Sequence, residues 1–442
     1  MRGRVMLKRL GKSRIPDAVK ICEANFPLPF ASGLEYSAPA RGVFNIVHTG
    51  MLIPEIHEIF VCAQGCLRGV VLTAAEMGAQ ERFSTVTVRE NNVLDGDMEE
   101  LLIEGVADIL TRLPELPPAV LVYTSCIHHF MGCDLNYCYD ELKKRFPTVE
   151  FVDCYMNPIM RKSGLTPDQI MRKQLYGLLT PRESDGGINV LGNNYSTDDE
   201  SDLVEIIRKS KRPFREVTRC GSYSEYKEMA GSSLDLTYNS AAIAAGEALG
   251  ERLGIRHLHL PFSFSENKII GNLSRLASEL NVDYDFSAKK EKALDALSLT
   301  KKEIGERPIA VDYTAVLAPL SLIKLLSENG FNVRRLYADS FMPDEKEEFD
   351  WIVRNLPELE IFPTVRPEMR VAERNEADFL AIGQKAAYFT GTKNFVNIVE
   401  SAGMYGFYSI EKLARLMTDA QRNEKEAETS IQQKGWGCNC CL

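Results

Sequence analysis

The sequence predicts an α/β protein of three Rossmann-like domains, each a parallel sheet flanked by helices. Three observations predict it. A chain of 442 residues exceeds what one hydrophobic core ordinarily organises, and about 150 residues per domain gives about three. From Gly187 onward, short continuous apolar runs alternate with amphipathic stretches, and such runs are how strands buried on both faces of a parallel sheet read. Glycines then fall where helices should stop, as at Gly254 and Gly330.

In chain order, Val43 to Val47 and Ala119 to Thr124 read as buried strands, with an amphipathic helix from Asp97 to Leu113 between them. Ile188 to Gly192 opens the regular part and leads into a helix that begins with Ser196 to Asp202 and continues through Arg208. Phe214 to Val217 (strand), Ser222 to Met229 (helix), Leu234 to Leu236 (strand), Ala241 to Leu253 (helix) and His257 to Leu260 (strand) follow. The Lys- and Glu-rich stretch Phe286 to Glu306 includes a connecting helix and suggests a domain boundary near residue 300. A third set runs from the strand Ile309 to Tyr313 through the helix Leu317 to Asn329 and the strand Asn332 to Tyr337, and closes with Asp378 to Ile382. The resulting division is 1–185, 186–300, 301–418, and a polar tail at 419–442 whose start reads as a frayed helix.

Composition narrows the function. A hydrophobic fraction of 45% with 26% charged residues is that of a soluble globular chain. No stretch reaches about 18 uncharged apolar residues, and the basic start is not followed by an apolar signal core, so a cytoplasmic protein without a membrane partner is expected. A net charge of -10 argues against nucleic acid, whose backbone is bound by clustered Lys and Arg. Eleven cysteines are many for a reducing compartment, where disulfides are improbable and an odd count cannot pair completely. Metal or cluster ligation, redox chemistry and burial as small apolar side chains remain.

The most informative string is VLVYTSCIHHFMGCDLNY, Val120 to Tyr137. Its strand ends at Thr124, so Cys126 falls in the loop at the strand's carboxyl end, where open α/β sheets place ligands. Amides at a following helix start would favour its thiolate, while a buried structural thiol is the alternative. Cys62 and Cys66 form C-x3-C, one turn apart if helical, which suits a shared cluster or two small buried side chains. Cys138, Cys154 and Cys220 lack such partners and read as core. Cys438, Cys440 and Cys441, beside Trp436, could ligate a second cluster or metal, exchange disulfides, or be incidental thiols. Gly11-Lys12-Ser13 imitates a phosphate loop, but Met6 stands where its leading Gly belongs. His48, His57, His128 and His129 are possible proton donors, and such residues are more often structural.

The strand, Thr-Ser-Cys and Gly-Cys-Asp-Leu of this string resemble the Thr-Thr-Cys segment and its Gly-Asp-Asp-Ile continuation in nitrogenase component 1. The same segment occurs in its relatives, dark-operative protochlorophyllide reductase and nickel-sirohydrochlorin reductive cyclase. His128, His129 and Cys133 depart from that pattern. Asn91 to Val106, Gly221 to Phe262 and Gly403 to Arg415 resemble further family segments, so the likeness covers nearly the whole chain.

The resemblance implies a nitrogenase component 1-like fold and an iron-sulfur cluster, 4Fe-4S or larger, held by three cysteines of the N-terminal part. Cys126 matches the last of these. Cys66, in CAQGC and sixty residues earlier, matches the Gly-Cys of the middle one, although His48-Thr49-Gly50 also looks like the segment that precedes it. That leaves Cys62 or Cys66, and Cys22 is the upstream candidate. Together Cys22, Cys62, Cys66 and Cys126 would make the four thiolates of a cubane, and a cluster shared between subunits is the competing arrangement. The Cys that binds nitrogenase's substrate-reducing cofactor would fall near Tyr238, and no His follows His259, so an iron-molybdenum cofactor in the usual mode is not expected. The implied partners are an ATP-dependent iron protein and a homologous subunit or second copy. The implied activity is that of a reductase subunit acting on an unidentified substrate. A scaffold for cluster or cofactor assembly is the alternative, and a zinc or redox-switch protein a third.

Overall fold

A computed structural model describes residues 18–31, 33, 44–156, 164–372, 374 and 378–426. Among these, fourteen strands form three sheets: β1 (Val19–Lys20), β2 (His57–Ala63), β3 (Phe83–Val88), β4 (Ala119–Ser125), β5 (Glu150–Met156), β6 (Gly187–Val190), β7 (Phe214–Glu216), β8 (Ser232–Thr237), β9 (Arg256–His259), β10 (Ile309–Asp312), β11 (Val333–Tyr337), β12 (Glu360–Phe362), β13 (Leu380–Ile382) and β14 (Phe395–Val396). The expected α/β class is what folds: every strand pair is parallel except that of β1 with β12.

The chain divides into two compact units. One comprises residues 44–196 and 207–261 and carries two sheets, with orders β3-β2-β4-β5 and β7-β6-β8-β9. Both repeat one winding, in which the chain steps outward once and then returns to the other side of its first strand. The central strands of the first sheet alternate between two cores. Phe60, Cys62, Leu121 and Tyr123 face one, while Ile59, Val61, Val120 and Val122 face the other. Burial on both faces is why β4 reads as an unbroken apolar run.

The other unit holds residues 197–206, the described residues from 262 on and those before 44. Its sheet runs β1-β12-β11-β10-β13-β14, the doubly wound order with β1 added at one edge. Helix Ser287–Ile304 packs along helix Phe407–Arg422, where the Thr300 hydroxyl donates to the Ala414 carbonyl at 3.1 Å.

Two local expectations are overturned. Residues 46–50 form a helix, not a strand, because the Asn45 side chain accepts the amides of Val47 and His48 and caps it. C-x3-C does not lie on one helix: Cys62 belongs to β2 and Cys66 to the first turn of helix Gln64–Glu76. No helix of the described residues is long and apolar enough to cross a membrane.

Candidate functional site

β4 ends at Ser125, and Cys126 is the first residue of the next helix, Cys126–Met131. The Ser125 amide donates to His128 Nδ1 at 3.3 Å, which leaves the imidazole proton on Nε2 and holds the ring within the same turn as Cys126. One strand over, β2 brings Cys62 to the same end of the sheet. Register pairs Val61 with Thr124, so Cys62 and Ser125 are the next rung. Ala63 then caps the helix whose first turn holds Cys66.

The three thiols differ in environment. Cys62 is fully buried, Cys126 half-buried and Cys66 exposed. Burial, with Cys66 and Cys126 close enough to add their charge, pushes the Cys62 thiol up to about 12, against an opposing hydrogen bond from Ser125. At neutral pH it therefore keeps its proton, and its Sγ lies 3.8 Å from the Tyr123 carbonyl oxygen. A half-buried and an exposed thiol thus lie near a buried one.

This convergence falls where the strand order of the first sheet reverses, between β2 and β4 with β3 and β5 outside them. Crevices beyond the carboxyl ends of strands at such a switch point are the usual ligand positions of open α/β sheets. Among the described residues no three His, Cys, Asp or Glu side chains are arranged to hold a single metal ion.

The remaining cysteines are placed elsewhere. Cys138 and Cys154 are buried in the two cores, Cys133 packs against one of them, and the Cys220 thiol lies 3.3 Å from the Glu216 carbonyl. Cys22 belongs to the other unit, exposed on the short turn Ile21–Glu23 that follows β1. Because β1 runs antiparallel to β12, Cys22 is at the amino-end edge of that sheet's parallel strands. Cys438, Cys440 and Cys441 lie outside the described residues.

Of the histidines, His57 bonds Ser84 Oγ at 2.8 Å and is neutral, its pKa lowered to about 4 by burial and by Arg82. His48 completes the Asn45 cap, and His129 is exposed. His128 is buried, and among the described residues its Nε2 has no hydrogen-bond partner.

Glu58 escaped sequence reasoning. It shares a face of β2 with Cys62, is fully buried, and receives the Tyr123 hydroxyl at 3.5 Å. Burial raises its pKa well above the carboxylate range, only partly opposed by Arg82. The available signal was a Glu inside the apolar stretch Ile56 to Ala63. Gly50 is required beside it, since a Cβ there would meet Glu58 Oε1 at 2.0 Å.

Parallel sheets whose strand order reverses define the class as an open α/β protein. The chain belongs to the nitrogenase component 1 type oxidoreductase family, whose sequence model matches residues 47–409. Among solved structures it is similar to nitrogenase Cp1 at pH 6.5, with 13% identity and a TM-score of 0.64 over 89% of this chain and 94% of that one. Nitrogenase Cp1 at pH 5 is also similar, with 12% identity and a TM-score of 0.56 over 90% and 91%. At these identities the likeness concerns the fold. No curated protein matches the sequence.

Proposed function

We propose that the chain is a subunit of a nitrogenase-like reductase that binds an iron-sulfur cluster at the β2/β4 switch point. It would work in the cytoplasm, accept electrons from an ATP-dependent iron protein, and pair with a homologous subunit or a second copy. The observation that carries this reading is the meeting of Cys62, Cys66 and Cys126 at the one strand-order reversal of the first sheet.

The donor set fits the group. A cluster takes one thiolate per iron, so thiols delivered from separate strand ends suit it better than they suit one ion. Of the two in C-x3-C, Cys66 is the ligand in this reading, being accessible in a helix's first turn. Cys126 joins it from the end of the neighbouring strand, β4. Cys62, buried at the end of β2 with its Sγ 3.8 Å from the Tyr123 carbonyl oxygen, is not a ligand in this reading. When bound, the cluster supplies reversible one-electron storage. The protein's part is to release the ligand thiol protons on loading and to exclude water from the β2/β4 face with Phe60, Leu121 and Tyr123.

Anaerobic purification with iron and sulfide assay tests this. Wild type should bind both and show cluster absorption, and Cys66→Ser and Cys126→Ser should each lose most of the iron. Cys62→Ser and Cys154→Ala should retain it. Iron retained in both ligand variants, or zinc in place of iron, would sink the reading, as would failure of a cognate iron protein to reduce the bound cluster.

A further inference from the structure

We propose that a cleft between helices Pro167–Leu175 and Ile243–Leu253 binds a small anionic amphiphile, a free medium-chain carboxylic acid.

The first ground is the shape of the space and what keeps it open. Ile170 and Gly177 from one side, Ala245, Ala248 and Leu249 from the other, and Val152 of β5 line a cleft of about 390 Å³. Spacings of three and four put the residues of the second helix on one face. Gly177, Ala245 and Ala248 carry the smallest side chains available, and a larger one at half-buried Ala248 would fill the space. An unfilled apolar space forfeits dispersion contacts on each wall. Small-ligand sites have this size, about 300–1,000 Å³, and this largely apolar lining. Leu165, which also lines the cleft, is 37% exposed, apolar surface that an apolar ligand body would cover.

The second ground is charge. Lys173 and Arg252 are the charged residues of the lining, and it contains no acid. Neither makes an ion pair among the described residues, although the chain holds 62 acidic residues against 52 basic ones. Arg252 is also held in place, because its guanidinium donates to the carbonyls of Tyr176, at 2.7 Å, and Leu179. It keeps N–H groups to spare. A guanidinium fixed in this way and an ammonium on the facing helix suit a single carboxylate. Gln174, the neutral polar residue of the lining, has its amide nitrogen committed to the Asp153 carbonyl at 2.6 Å. The ligand's polar contacts therefore fall to the two cations, and the rest of it is apolar.

The cleft lies on the flank of the first sheet. Val152 pairs with Leu121, four residues before the rung of Ser125 and Met156 beside which Cys126 begins its helix. Occupation of the cleft is thus independent of the proposed cluster, and the two can be tested apart.

Titration calorimetry of the full-length chain with octanoate, and with uncharged 1-octanol, tests the proposal, with hydrogen exchange locating the bound acid. Octanoate should bind once per chain and slow amide exchange in residues 167–177 and 243–253. Binding of 1-octanol should be about tenfold weaker, the loss expected without a charge-assisted contact. Ala248→Phe should abolish octanoate binding in protein that melts no lower than wild type. Lys173→Gln, an exposed change that leaves the fold alone, should weaken octanoate several-fold without altering 1-octanol. Absence of saturable octanoate binding overturns the proposal. So does full affinity retained in folded Ala248→Phe and Lys173→Gln protein, which would place the ligand elsewhere, and so does equal affinity for acid and alcohol, which would remove the part given to the cations.

Discussion

Glu58 makes no ion pair among the described residues, the Tyr123 hydroxyl donates to it, and burial raises its pKa well above the carboxylate range. The linkage has a definite sign. The folded form keeps a proton that the unfolded chain gives up above its ordinary carboxyl range, so stability is greatest at low pH and falls as pH rises toward the folded value. Each pH unit in that window costs about 1.4 kcal/mol. Glu58→Gln keeps the shape without the ionisation, and should therefore melt higher than wild type at pH 8 while differing little at pH 5. Equal effects at both pH values would show that the gain came from packing. At the cluster site, single thiols obey a similar logic. Cys154→Ala removes a small side chain from a core and should cost about 1–2 kcal/mol in denaturant melts without changing bound iron.

Strands β10 and β13 approach closely, and the point of approach is Gly383, with φ of +102°. A Cβ at that position would lie 2.5 Å from Asp312 Cβ and 2.7 Å from Ala315 Cβ, neither of which can retreat. Asp312 is fixed because its carboxylate accepts the amides of Thr314 at 2.8 Å and Lys385 at 2.7 Å. Gly383→Ala should accordingly cost about 2–4 kcal/mol through the clash and the left-handed backbone together. A loss below about 1 kcal/mol in urea melts would show that the β10 and β13 ends are softer than this. The same scale explains what the sequence could reveal. β4 was legible because Ala119 to Tyr123 is continuously apolar, and Cys126 because it follows such a strand. β2 was not, since His57 and Glu58 interrupt its pattern and C-x3-C imitates a helix. Hence the different positions of Cys62 and Cys66 could not be read, because they depend on where β2 ends. Val43 to Val47 reads as a strand until the side chain of Asn45 is seen to cap a helix, and β1, β12 and β14 are too short to show any period.

Buried carboxyls recur in both units, and together they set a direction for the whole molecule. Asp235 on β8 is bonded by Asn189 at 2.7 Å and raised to about 7, chiefly by burial. Glu345 accepts the amides of Leu320 and Ser321 at the start of helix Pro319–Glu328, yet burial still raises it to about 8. Neither second oxygen has a partner among the described residues, as expected of acids that stay protonated. Buried and half-buried histidines act oppositely. His57, His128 and His257 are lowered, so they withdraw stability only as pH falls below about 6.5, where the unfolded chain takes up protons that the fold refuses. Above that point the histidines are silent and the carboxyls alone act. Stability should therefore fall between about pH 6.5 and 8, by about 2 kcal/mol from Glu345 alone. The loss should also be separable by unit. Asp235→Asn should flatten the pH dependence of amide exchange in residues 44–196 and 207–261, and Glu345→Gln that of the residues from 262 on. Measured at pH 6.5 and 8 by hydrogen exchange with mass spectrometry, a protein equally protected at both values would mean that these acids ionise without cost. Their burial would then have to be relieved by water reaching the unpartnered oxygens.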